Sequence, residues 1–293
     1  MAHDKHSAAA GNAAPNNAGV DNAAADNNAA ERTADASQAA TKAELNIGLV
    51  LPDVLGTYGD DGNALVLRQR ARMRGFSAQI HPIKLGEPVP SQLDAYTVGG
   101  GEDSAQILAV EHLLADGGLH KAARAGAPVF AICAGFQLVG ETFRAAGREV
   151  EGLGLIDART VTLHKRAIGE VASQPTQAGV TSSLTSPLTG FENHMGASVL
   201  GPDARPLGAI TTGIGNCDID AARAGAADDV EAQARAEGAV QGSVIATYMH
   251  GPALARNPQL ADLVLSMALG CTLDELEPLE IPAIEQLRTE RLR

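Results

Sequence analysis

The chain has 293 residues, enough for one large α/β domain or two small ones. A formal net charge of −13 argues against a nucleic-acid surface, because phosphate recognition needs clustered Lys and Arg. Hydrophobic residues make up 45%, yet aromatics are only 3% and Trp is absent, so the core must be built from Leu, Val, Ile and Ala.

Residues 1–43 are dominated by Ala and Asn, and their only larger apolar side chains are Met1 and Val20. Such a segment buries too little surface to offset its ordering entropy, so it is expected to be disordered. The domain is expected to run from 44 to 271. Residues 45–51 (LNIGLVL) form a short apolar run suited to a buried strand. A turn-rich stretch to Asn63 follows, then a basic-faced helix over 64–74 that stops at Gly75. Alternation over 76–83 gives a second strand, and 94–98 a third that runs into Gly99–Gly101. Ile107, Leu108, Val110, Leu113 and Leu114 fall at helical spacing in 104–116, with Ser104 as the expected N-cap. After a further short helix, 128–132 is a fourth buried strand and 134–146 reads as a helix. Later strands fall at 161–172, 207–212 and 243–249, and a late helix at 258–269. Residues 221–241, poor in large apolar groups, read as an exposed insertion. The tail 272–293 carries Leu273, Leu276, Leu279 and Ile281 before a charged helical end, and would pack on the domain or on a partner. Strands alternating with helices imply an α/β fold, a doubly wound, mostly parallel sheet with helices on both faces. Function in such sheets gathers at the carboxyl ends of the strands.

Cys133, Cys217 and Cys271 are widely spaced and odd in number, which makes neither a disulfide framework nor a zinc site and fits a reducing cytoplasm. No metal site is expected. No run reaches the ~18 apolar residues that span a bilayer, and the amino terminus lacks the apolar stretch of a secretory signal. Three pieces carry chemistry. In Val129-Phe-Ala-Ile-Cys133-Ala-Gly-Phe-Gln137 a cysteine sits where a buried strand stops and a helix starts, between small residues. That is the pattern of a nucleophile elbow, with the helix amino terminus favouring a thiolate and the amide of Ala134 aimed where an oxyanion would form. Taken alone it fits a buried structural cysteine as well. In Thr247-Tyr248-Met249-His250-Gly251-Pro252 a histidine ends a strand, placed to meet a cysteine at another strand's end and act as its base. A histidine that merely caps a strand has the same local pattern. In Val98-Gly-Gly-Gly-Glu-Asp103 consecutive glycines allow close backbone approach and offer N–H groups to an anion. An ordinary glycine turn is the competing reading, and the G-x-x-x-x-G-K-[ST] phosphate loop is absent.

Together, GGGED, AICAGFQ, GFENHMG (190–196) and TYMHGP resemble the class I, triad-type glutamine amidotransferase domain, in the branch that contains cobyric acid synthase. The likeness spans roughly residues 45–271 and implies the flavodoxin-like fold of that family. Within the branch, LPDVLGTYGDDGNALVLRQRARMRG resembles the glutaminase subunits of lipid II isoglutaminyl synthases, which work with a Mur-ligase-like, ATP-dependent partner. The resemblance implies Cys133 as nucleophile and His250 as general base and acid. It places the amides of Gly100 or Gly101 and of Ala134 in an oxyanion hole. It also implies Arg166 as a clamp on the α-carboxylate of glutamine, with Gln137 and His194 as pocket residues. No cofactor is expected on this chain, with ATP and Mg²⁺ on the partner. One position departs from the pattern: many members orient the histidine with a Glu two residues later, and here that residue is Pro252. Either a dyad suffices or another carboxylate, from this chain or the partner, takes the third role. Glutaminase for another amidation such as that of cobyrinate, a γ-glutamyl hydrolase, and a non-catalytic ligase-binding module are the alternative readings.

Overall fold

The computed structural model describes residues 44–292, so the reading of 1–43 as disordered lies outside the described residues. In chain order the elements begin with β1 (Glu44–Val50), α1 (Gly62–Met73), β2 (Ser77–Ile83), β3 (Ala95–Val98), α2 (Asp103–Asp116), α3 (Gly118–Arg124), β4 (Val129–Ile132) and α4 (Ala134–Val139). The chain continues with β5 (Thr142–Ala145), β6 (Arg148–Glu151), β7 (Ala158–Pro175), β8 (Leu188–Leu200), β9 (Gly208–Thr212), α5 (Ile219–Ala224) and α6 (Val230–Gln233). It closes with β10 (Ala236–Glu237), β11 (Ala239–Gln241), β12 (Val244–Thr247), α7 (Ala253–Arg256), α8 (Pro258–Leu269) and α9 (Pro282–Arg291).

The first sheet has the order β11-β12-β4-β3-β1-β2. Every pairing in it is parallel except that of β11 with β12. The short, fully buried runs 95–98, 129–132 and 244–247 are its middle strands. Strands covered on both faces are apolar throughout, which is why these read as continuous runs. The register sets Ile132 beside Thr247 and Val98 beside Ala131, so three strands end at one level. Cys133, the Gly99–Gly101 run and the segment leading to His250 therefore emerge side by side.

The second sheet was not anticipated. It has the order β10-β9-β7-β5-β6, with β8 also paired to β7, and is almost wholly antiparallel. Two expectations change with it. The helix expected over 134–146 stops at Val139, because Gly140 turns extended and the chain enters the β5–β6 hairpin. Ala146 and Gly147 both take positive φ, 49° and 78°, as a tight hairpin turn requires. The supposed insertion 221–241 is instead woven into the fold: Ala236, Glu237, Ala239 and Val240 are buried, and β10 and β11 join different sheets. The expected N-cap Ser104 lies inside α2, whose N-cap is Glu102.

The basic face of α1 is turned partly inward. Arg70 and Arg74, both buried, converge on Asp262 of α8 at 2.6 and 2.8 Å. Arg74 also donates to the Glu277 carbonyl 2.7 Å away, which ties down the tail, and Arg288 of α9 donates to the Arg256 and Pro187 carbonyls. The tail thus packs on its own domain. Two buried guanidinium groups left without their carboxylate are costly. Asp262→Ala should therefore lower stability by about 3–5 kcal/mol. A urea titration that shows no shift of the unfolding midpoint would refute this.

Candidate active site

Cys133 occupies the sharp turn between β4 and α4 with φ 54° and ψ −106°, a conformation L-residues with a Cβ avoid. Such strain persists only where the surroundings enforce it. The enforcement is visible: the Cys133 N–H donates to the Thr247 carbonyl at 2.9 Å, and any Cβ at Gly135 would lie 2.5 Å from the Val98 carbonyl oxygen. Cys133 is buried but lines a cavity of about 290 Å³. The other cysteines do not share this setting, and burial pushes the Cys217 thiol up to about 12.

His250 follows β12 and is fixed by two backbone hydrogen bonds with Phe191, at 2.9 and 3.2 Å. Its Nδ1 lies 3.0 and 3.2 Å from the carboxylate oxygens of Asp60, which is 1% exposed. A carboxylate only accepts, so Nδ1 carries the proton. Nε2 makes no closed hydrogen bond with any described residue. Cys133 and His250 flank Gly100, where an added Cβ would meet Cys133 Cβ at 3.6 Å and His250 Cε1 at 3.4 Å. Burial disfavours the charged ring, but the hydrogen bond it donates to Asp60 and the adjacent Cys133 sulfur outweigh that and raise the His250 pKa well above its ordinary value.

Asp60, a residue of this chain, therefore holds His250 from the side that Pro252 cannot serve. Sequence reading missed it. Asp60-Asp61-Gly62 ahead of a helix reads as a turn, and 190 residues separate Asp60 from His250. Tyr58, from the same loop, adds a ring 5.0 Å from that of His250.

The expected oxyanion hole is narrowed. The N–H of Gly100 donates to Asp60 at 3.1 Å and so points away from the cavity. The N–H groups of Gly101 and Ala134 form no hydrogen bond among the described residues, and Gly101 lines the cavity. Close packing explains the glycines here: a Cβ at Gly99 would sit 2.1 Å from the Leu55 carbonyl oxygen.

Arg166 lies on an irregular stretch of β7 where the register jumps between Thr162 and Ala167. Its Nη1 donates to Asn193 Oδ1 at 3.1 Å, and both residues line the cavity. Glu102 and Asp103 of the GGGED run line it as well. Gln137 and His194 form buried wall. Gln137 donates to the Tyr248 hydroxyl at 3.4 Å, and His194 stacks on the Tyr248 ring at 3.8 Å. His194 Nδ1 donates to the Gly196 carbonyl at 2.7 Å. Of the anticipated residues, Cys133, Gly101, Gln137, Arg166 and His194 line the cavity, whereas His250, Ala134 and Gly100 do not. No helix among the described residues is long and apolar enough to cross a membrane.

A strand-end cysteine in a strained elbow and a histidine held by a buried aspartate are the arrangement of a class I glutamine amidotransferase site. Residues 46–258 match the CobB/CobQ-like glutamine amidotransferase domain, and the chain belongs to that family. It is a glutamine amidotransferase. It is 31% identical over 252 residues to the lipid II isoglutaminyl synthase (glutamine-hydrolysing) subunit GatD of Staphylococcus aureus strain N315, covering 85% of this chain and 94% of the relative. To the corresponding Streptococcus pneumoniae R6 subunit it is 28% identical, covering 85% of this chain and 89% of the relative. A cobyric acid synthase of Sphingopyxis alaskensis is 29% identical, but the match covers 62% of this chain and only 33% of that protein.

Proposed function

We propose that this chain is the glutaminase subunit of a cytoplasmic lipid II isoglutaminyl synthase, which hydrolyses glutamine through a Cys133 thioester and passes ammonia to a Mur-ligase-like partner. The observation that carries the chemistry is the line Asp60–His250–Cys133 opening on the cavity. The Cys133 thiolate attacks the side-chain amide carbon of glutamine, and the N–H groups of Gly101 and Ala134 receive the oxyanion. Protonated His250 gives its Nε2 proton to the leaving ammonia. Water, deprotonated by His250, then cleaves the γ-glutamyl thioester and releases glutamate. Arg166 is suited to the α-carboxylate of the substrate, and Glu102 to its ammonium group. Gln137 and His194 shape the pocket. The partner, with ATP and Mg²⁺, activates the D-Glu α-carboxyl of the lipid II stem peptide, and ammonia displaces the activating group.

The near full-length match to the two subunits supports lipid II as the acceptor system, whereas the likeness to cobyric acid synthase covers a third of that protein. The test is amidation of lipid II by the partner ligase with ATP and either ammonium chloride or glutamine. Ammonium should serve without this chain, and glutamine only when the chain is added. Glutamine-dependent amidation that the chain fails to increase would overturn the proposal.

A further inference from the structure

Glu237 is fully buried on β10, in the segment whose composition reads as surface. A carboxylate in that position needs a reason, because removing it from water costs several kcal/mol unless donors replace the solvent. Its Oε1 accepts the Thr247 hydroxyl at 2.5 Å and the Tyr248 N–H at 3.3 Å, while Oε2 has no partner. The Thr247 hydroxyl has a single hydrogen. Since its oxygen accepts the Met249 N–H at 3.0 Å, that hydrogen is committed to Glu237. Thr247 is also the residue whose carbonyl holds the Cys133 N–H. One buried acid thus fixes the residue that anchors the elbow and the three-residue lead into His250.

On the catalytic reading above, we propose that Glu237 is a positioning residue for glutamine hydrolysis. Acting through Thr247, it sets the end of β12 so that the Cys133 sulfur and the His250 ring face each other. No other side chain among the described residues accepts the Thr247 hydroxyl or the Tyr248 N–H. Without Glu237, two buried donors lose their acceptor and the segment 247–250 relaxes. Misplacement of reacting groups by about 1 Å can cost on the order of a hundredfold in rate. The glutamine-contacting groups, Arg166 and Glu102, stand on other elements and should be little affected. Burial pushes the Glu237 carboxyl up to about 7, against the hydrogen bonds from Thr247 and Tyr248. The isostere Gln keeps an accepting oxygen for the Thr247 hydroxyl and the Tyr248 N–H.

The experiment uses the full chain with Glu237→Ala, Glu237→Gln and the near-isosteric Thr247→Val. It reads kcat and KM for glutamate release and the rate at which iodoacetamide alkylates the Cys133 peptide, followed by mass spectrometry. Glu237→Ala and Thr247→Val should lower kcat by about tenfold to a hundredfold, with KM within about twofold and alkylation of Cys133 slowed. Glu237→Gln should stay within about threefold of the unsubstituted chain on every readout. The proposal falls if Glu237→Ala and Thr247→Val lower the melting temperature while the folded protein keeps its kcat and alkylation rate. It falls equally if Gln is as damaging as Ala. Glutamate release that persists undiminished in a parallel Cys133→Ala control would remove the catalytic reading itself, a result distinct from either.

Discussion

Replacing Asp60 with Asn should lower kcat for glutamine hydrolysis by about two to four orders of magnitude, with KM changed little. Asp60 satisfies two donors at once, the His250 Nδ1–H and the Gly100 N–H. An amide has one accepting oxygen. If that oxygen faces His250, the NH₂ group of Asn opposes the Gly100 N–H and pushes on the glycine run beside the cavity. If it faces Gly100, the NH₂ group confronts Nδ1 and forces the proton onto Nε2, so the ring can no longer take a proton from Cys133. The pH dependence gives a second readout. Asp60 helps to hold the His250 pKa up against burial, so the imidazolium that the proposed mechanism uses survives to higher pH than an ordinary histidine would allow. Without the carboxylate, its share of that rise is lost and the pKa falls. The basic limb of kcat/KM should therefore move to lower pH in Asp60→Asn. Wild-type kcat with an unmoved basic limb, measured on the chain alone, would show that His250 works without Asp60.

The contrast between what the sequence exposed and what it hid follows from the range of the interactions involved. Cys133, His250 and the Gly99–Gly101 run each close a short apolar strand, and a strand end is a local pattern. Parallel pairing then brings them together, because the register sets Val98 beside Ala131 and Ile132 beside Thr247. Asp60 and Glu237 are not local in this sense. Each belongs to a polar stretch that composition assigns to the surface, and each is buried against a partner on another element, 190 residues away for Asp60 and 10 for Glu237. The β5–β6 hairpin was hidden for a different reason. Residues 141–151 are rich in Glu, Arg and Ala, good helix formers, yet Gly140 and the positive-φ pair at Ala146 and Gly147 redirect the chain into the second sheet. Propensity there loses to turn geometry and tertiary pairing. The same loss explains residues 236–241, where small side chains fit β10 and β11 into crowded positions: a Cβ at Gly238 would lie 2.4 Å from the Ala246 carbonyl oxygen.

Cys133→Ala should reduce glutamate release by at least about 10⁴-fold, since removal of the nucleophile from such a site leaves only what binding and the oxyanion donors supply. Stability should remain within about 1 kcal/mol of the unsubstituted chain, because Ala keeps the Cβ and therefore the same backbone strain at φ 54°. Cys133→Gly should be equally inactive but relieved of that strain, since Gly populates positive φ freely. The pair separates two reasons for a cysteine at this position. Were the residue merely a buried side chain filling the end of β4, both variants would lose stability through a cavity and Gly would lose more. If the turn exists to present a sulfur, the strain is the cost of that presentation, and Gly should melt no lower than Ala while neither hydrolyses glutamine. Thermal melts of the two variants beside a glutamate-release assay decide the matter. A Gly variant clearly less stable than Ala would speak against an elbow held under strain for catalysis.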